Sequence, residues 1–208
     1  MKIKNTGCLV LLAVSTLLTS QSSFAERQEK TPDMAEGKVL FVGCTGCHSL
    51  PGYANTSPRY QVPKLGGQKA DYLVAALNEY AEGTRQHASM KGNADSLPPE
   101  DRQKIAAYLS WKILRPNSNK IVGDIKAGEA KAVACAGCHG QGGNSTIPGY
   151  PRLDGQYQSY LIKAMQDYQS GKRKNPMMTG MVAALSEADI TNLSAYYASQ
   201  EKGLYVTD

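Results

Sequence analysis

Cys44-Thr45-Gly46-Cys47-His48 and Cys135-Ala136-Gly137-Cys138-His139 are the two stretches on which the reading of this chain turns. Each is a C-x-x-C pair with a histidine directly after it, the attachment signature of a c-type haem. The chemistry explains the spacing. Two thiols must reach the two vinyl groups of one porphyrin to form thioethers, and three-residue spacing on a tight helical turn places them. The adjacent histidine then lies under the iron and offers a ring nitrogen. Other uses of cysteine pairs fit less well. A four-cysteine zinc site keeps its pairs closer than the 91 residues that separate these two. A thioredoxin-like redox pair wants a strand before its helix, and none is read here. Structural disulfides leave both histidines unexplained.

Working outward, the motifs sit in register within an internal repeat. Val62–Met90 aligns without a gap to Tyr150–Met178 at an offset of 88. Pro63 matches Pro151, Gly67-Gln68 matches Gly155-Gln156, and Tyr72-Leu73 matches Tyr160-Leu161. Tyr80, Gly83 and Arg85 match Tyr168, Gly171 and Arg173. Upstream the offset is 91, pairing Asp33 with Asp124 and Gly37 with Gly128; the first half has a longer loop after its histidine.

Each half predicts the same elements. A helix starts near Asp33 or Asp124, both good N-cap types, and runs into the C-x-x-C-H segment. A loop rich in Gly and Pro follows, 49–63 or 140–151. A second helix covers about 69–82 or 157–170, with Leu73, Ala76, Leu77 and Tyr80, or Leu161, Ala164, Met165 and Tyr168, at helical spacing. A polar loop containing a methionine comes next, then a last helix over about 99–112 or 187–200. Ser186 with Asp189 resembles a capping box. No strand is expected. The fold class is therefore all-α, in two tandem domains each wrapped around one covalently bound haem. Domain 1 is read as 26–115 and domain 2 as 116–208, joined by a linker over 116–123 that is short enough for the domains to touch.

Residues 1–25 read as a cleaved export signal: Lys2 and Lys4, an apolar run Cys8–Leu18, and the small-x-small site Ser23-Phe24-Ala25. That run is shorter than the roughly 20 apolar residues a spanning helix needs. A lipoprotein site at Cys8 is disfavoured because the apolar stretch follows that cysteine; an uncleaved interfacial anchor is the other alternative. Cleavage removes Cys8, one of five cysteines, and leaves the four of the two motifs. The formal net charge of +5 is spread without a basic run, and haem propionates would offset it, so nucleic acid is excluded as a partner.

The repeat also supplies a sixth iron ligand. Met90 and Met178 align at the end of the ungapped block, each followed by Gly two residues on and Leu seven residues on. A thioether raises the potential of a haem relative to a second histidine. Met177 and Met181 are rivals to Met178, and His87 is the rival to Met90; otherwise His87 reads as a solvated loop residue. A carbonyl in the Pro63 or Pro151 loop is placed to accept the second N–H of its histidine. Arg85 and Arg173 read either as propionate partners or as solvated charges. Gly37 and Gly128 read as crossing points with the last helix, near Tyr108 and Tyr196.

On these residues the chain resembles the two-domain class I cytochromes c, closest to the dihaem cytochrome c4 family. The resemblance spans nearly all of the chain beyond the signal. It is carried by Cys135-Ala136-Gly137-Cys138-His139-Gly140, Gly143-Asn144-Ser145, Pro151-Arg152-Leu153, Gly155-Gln156, Tyr160-Leu161, and Met178-Thr179-Gly180-Met181 before Leu185-Ser186. Domain 1 departs from the pattern after its motif, with Ser49-Leu50-Pro51 in place of a Gly-rich start. The resemblance implies two haem c groups, each with histidine and methionine on its iron, lying near the domain interface. It implies a role carrying electrons between redox proteins, from a quinol-oxidising complex toward a terminal oxidase; the export signal points to the periplasm, and a monomer with no small-molecule substrate is expected. The alternative is a dihaem electron-accepting subunit of a dehydrogenase, such as a flavocytochrome sulfide dehydrogenase. An independent thiosulfate dehydrogenase or a haem-based sensor would need an altered or open iron site.

Overall fold

The computed structural model describes residues 32–111 and 115–207. The expected export signal lies outside the described residues. In the first half, α1 (Pro32–His48) leads into a hairpin of β1 (Ala54–Thr56) and β2 (Arg59–Gln61), followed by α2 (Ala70–Glu82), α3 (Ala88–Asp95) and α4 (Pro99–Leu109). After β3 (Arg115–Pro116) come α5 (Ile125–Ala132), α6 (Ala136–His139), α7 (Gln158–Gln169), α8 (Pro176–Val182), α9 (Glu187–Ala198) and β4 (Lys202–Gly203).

The expected helices are present with ends shifted by a few residues. Local chemistry accounts for their limits. Asp124 caps α5 by accepting from the Ala127 N–H, and Ser186 and Asp189 form a complete capping box at α9. Gly83 closes α2 in the left-handed region at φ 76°, its N–H donating to the Tyr80 carbonyl, and Gly171 takes the same conformation after α7. Pro99 opens α4, where a missing N–H has no consequence.

Within each half the first and last helices cross against each other. In domain 1, Phe41 packs with Leu73, Ile105, Ala106 and Leu109; in domain 2, Ala132 packs with Leu161, Leu193, Tyr196 and Tyr197. The crossing is so close that a Cβ on Gly37 would lie 2.0 Å from the Lys104 carbonyl oxygen, and one on Gly128 would lie 2.0 Å from that of Asn192. The reading of both glycines as crossing points holds; the contact falls one turn before Tyr108, and in domain 2 it takes in Tyr196 as well.

Two expectations need correction. Four short strands exist among the described residues where none was expected: β1 pairs antiparallel with β2, and β3 with β4. They are two or three residues long, too short to show any alternation of apolar and polar residues. The methionine segments are helical, not polar loops: Met90 lies on α3 and Met178 on α8. The segment read as the linker is tied to domain 2 by side-chain hydrogen bonds. Asn117 and Asn119 side chains donate to the carbonyls of Ala198, Gly155 and Gln156, and Arg115–Pro116 pairs with Lys202–Gly203.

The halves touch through related contacts. Gln86 N–H donates to the Lys172 carbonyl at 2.9 Å, and Lys174 N–H to that of Thr84 at 3.0 Å. These two bonds exchange equivalent positions of the repeat, as a pseudo-twofold axis requires. The C-terminal tail then returns to domain 1, where Tyr205 and Gly66 exchange backbone hydrogen bonds of 3.0 and 3.1 Å.

Candidate haem-binding site

One cavity of about 670 Å³ lies between the halves, and both motifs face it. Its wall includes Cys44, Cys47, His48 and Met90 from the first half, and Cys135, Cys138, His139 and Met178 from the second. The structure therefore brings together every residue that the sequence nominated.

Both histidines are buried at helix ends. The Nδ1 of His48 is 3.0 Å from the Pro63 carbonyl oxygen, and the Nδ1 of His139 is 3.0 Å from that of Pro151. A carbonyl can only accept, so each Nδ1 carries the proton and each Nε2 keeps its lone pair. Burial lowers the pKa of both rings, which favours the neutral form that a metal needs.

None of the four cysteines is in a disulfide. Burial pushes the Cys44 and Cys135 thiols up, the opposite of what a thiolate metal site requires. Among the described residues no group of three or more His, Cys, Asp or Glu is placed to hold a metal ion. The donor set fits thioether attachment to a porphyrin, with histidine and methionine toward an iron.

The methionines owe their placement to capping. Each sits at the third position of its helix. The Met90 N–H donates to His87 Nδ1 at 3.2 Å, and the Met178 N–H to Asn175 Oδ1 at 3.1 Å. His87 is thus a half-buried N-cap and not a solvated loop residue. The paired residues at 87 and 175, three before each methionine, were a capping signal that the sequence reading passed over. Met177 and Met181 also touch the cavity but are 53% and 46% exposed.

Arg85 and Arg173 line the cavity and are 7% and 6% exposed, which removes the reading of solvated charges. Arg85 donates to the Tyr160 hydroxyl at 2.5 Å, and Arg173 to that of Tyr72 at 2.9 Å. One carboxylate, Glu79, lies 3.9 Å from both guanidinium groups. The Arg173 Nε and Glu79 Oε2 atoms are buried without a hydrogen-bond partner. Two buried cations against one acid, beside an orphaned donor, suit a cofactor that brings anionic groups of its own.

Lys64 adds a further buried cation. Its ammonium donates to Asn117 and Asn119 Oδ1 and to the Gly155 carbonyl, at 3.2, 3.0 and 2.7 Å. The equivalent Arg152 is paired with Asp154 instead. No helix among the described residues is long and apolar enough to cross a membrane.

Comparison with known proteins agrees with this geometry. A family model described as Cytochrome c matches residues 34–112 and again 125–201. Cytochrome c4 of Pseudomonas aeruginosa is 45% identical over 86 residues, which is 41% of this chain and 43% of that protein. The match thus spans less than half of the relative's length. Cytochrome c-552 of Acidithiobacillus ferridurans is 28% identical across 95% of this chain and 90% of its own. A thiosulfate dehydrogenase electron acceptor of Thiomonas intermedia is 40% identical over 73 residues, 35% of this chain and 34% of that protein. Among solved structures, reduced cytochrome c4 from Pseudomonas stutzeri superposes with a TM-score of 0.65 at 27% identity, over 82% of this chain and 100% of that one. Thiosulfate dehydrogenase from Marichromatium purpuratum superposes with a TM-score of 0.67 at 25% identity, over 80% of this chain and 40% of that one. The family match in both halves, on the residues that wall one cavity, shows that the chain belongs to the cytochrome c family, as a two-domain, cytochrome c4-type member with two covalently bound haem c groups.

Proposed function

We propose that the chain carries single electrons through two closed irons, one held by His48 and Met90 and the other by His139 and Met178. Cys44 and Cys47 hold one haem and Cys135 and Cys138 the other, in domains that run over 26–115 and 116–208. The observation that carries this reading is that equivalent histidines and methionines of both halves face one cavity across the domain interface. Each haem, when bound, supplies a one-electron ferric–ferrous couple. The protein's part is positional. Pro63 and Pro151 hold a proton on Nδ1 of each histidine and so leave Nε2 as the nitrogen that would hold an iron. The capped α3 and α8 each present a thioether, a soft ligand that keeps the potential high. With a histidine and a methionine available to each iron, a bound haem would have no open position for oxygen or peroxide, which favours a carrier over an enzyme. Export through a cleaved signal over 1–25 would place it in the periplasm, docking transiently on redox proteins between a quinol-oxidising complex and a terminal oxidase.

A second reading makes the chain the electron acceptor of a dehydrogenase. The likeness to the Thiomonas intermedia acceptor and to the Marichromatium purpuratum enzyme favours thiosulfate dehydrogenase over a flavoprotein as that partner. The oxidised holoprotein should show a far-red methionine-to-iron band equivalent to two haems; its absence would remove Met90 and Met178 as ligands. Recovery of the native protein alone supports the free carrier, and copurification with a dehydrogenase supports the acceptor.

A further inference from the structure

Two glutamines occupy equivalent positions of the repeat, and each reaches into the other domain. Gln156 accepts from the Lys64 N–H on Oε1 at 2.9 Å and donates from Nε2 to the Lys64 carbonyl at 2.9 Å. Gln68 does the same to Arg152, at 2.9 Å from the N–H and 3.0 Å to the carbonyl. Both side chains are buried, at 3% and 4% exposure. The orientation of each amide is set by its partners, because only the oxygen can accept from an N–H and only the nitrogen can donate to a carbonyl. Each oxygen also accepts from its own next residue, Tyr157 N–H or Lys69 N–H, at 2.9 Å.

The N–H groups so held have a second role. Lys64 N–H belongs to the same peptide group as the Pro63 carbonyl, and Arg152 N–H to the same one as the Pro151 carbonyl. Those carbonyls are the acceptors for His48 and His139. A continuous chain therefore runs from the Gln156 oxygen to the Lys64 N–H, through the peptide group, and from the Pro63 oxygen to His48 Nδ1. Its twin runs from Gln68 to His139. Hydrogen bonds in series polarise one another, so an acceptor on the N–H makes the carbonyl of the same peptide a stronger acceptor. A stronger acceptor at Nδ1 makes the imidazole a more basic ligand and favours ferric iron.

We propose that each domain tunes the histidine of the other: Gln156 is a positioning residue for His48, and Gln68 for His139. This rests on the reading of both histidines as iron ligands. The consequence is that closing the domain interface helps to set both potentials, each through a residue of the opposite half.

The test uses the full-length holoprotein with Gln156→Met, which keeps the bulk of the side chain and removes both amide contacts. The two haems are resolved by potentiometric titration, and the histidine Nδ1–H resonances are followed by NMR of the reduced protein. The haem of domain 1 should rise in midpoint potential and the His48 Nδ1–H should move upfield. The domain 2 potential and His139 should stay where they are. Gln68→Met should give the mirror image. Equal movement of both haems, movement confined to the domain that carries the substitution, or no movement overturns the proposal. Should Gln156→Met not assemble, Gln156→Asn withdraws the same amide by one methylene and is read in the same way. If the wild-type protein lacks ring-current-shifted histidine protons, the ligation reading itself fails, which is a distinct outcome.

Discussion

Arg85 and Arg173 lie opposite each other in an antiparallel bridge across the domain interface, and each donates to the tyrosine of the opposite domain. Glu79 stands 3.9 Å from both, while its repeat counterpart Asp167 pairs with Lys163. The interface thus holds two like charges that share one acid. Burial alone would raise the Tyr72 phenol, but Arg173 and then Arg85 outweigh it and bring it down to about 8.

Replacing Arg173 with Ala should destabilise the assembled protein by about 2 kcal/mol, the value of a hydrogen bond to a charged group. Arg85→Ala should act similarly through Tyr160. The double variant should lose more than the sum, because the repulsion between the guanidinium groups can be relieved only once and each single change already relieves it. Urea unfolding of the three holoproteins measures both effects.

Removing the thioether at Met178 should open one iron. Met178→Ala should bind one equivalent of carbon monoxide in the reduced state and lose half of the far-red band. Met177→Ala and Met181→Ala should do neither, since both side chains are about half exposed. Carbon monoxide difference spectra distinguish the three.

Gly128→Ala should cost about 3 kcal/mol, as forced overpacking does. The added carbon would meet backbone atoms of Asn192, which no side-chain rotation can relieve. Gly37→Ala should behave alike against Lys104. Gly92→Ala on α3 meets nothing within 4 Å, and should gain up to about 1 kcal/mol of helix propensity. Thermal unfolding separates these outcomes.

Lys64 should make stability depend on pH in the alkaline range. Burial pushes its ammonium down to about 8. The unfolded chain keeps this proton to about 10.4. Between the two values the unfolded state binds more protons, so stability rises with pH. The gain is present above the unfolded value and is lost as pH falls through the folded one, with a span on the order of 3 kcal/mol. Urea unfolding of wild type and Lys64→Met from pH 7 to 10.5 should show the slope in the first and its loss in the second.

The attachment chemistry was legible in the sequence because it is local. The spacing of two thiols and a histidine is a property of one helical turn, so Cys44, Cys47 and His48 announce themselves without a fold, as do Cys135, Cys138 and His139. The repeat extended that reach to Met90 and Met178, since register can be compared without coordinates. Periodicity located α2 and α7, and capping chemistry located the starts of α5 and α9. What only the tertiary structure decided lies between the domains. Nothing in the sequence around Gln68 points to Arg152, nor around Gln156 to Lys64, because each contact joins residues that only docking brings together. Arg85 and Arg173 could be read either as propionate partners or as surface charges for the same reason: a residue's exposure depends on what packs over it, and here the covering surface is the other half of the same chain.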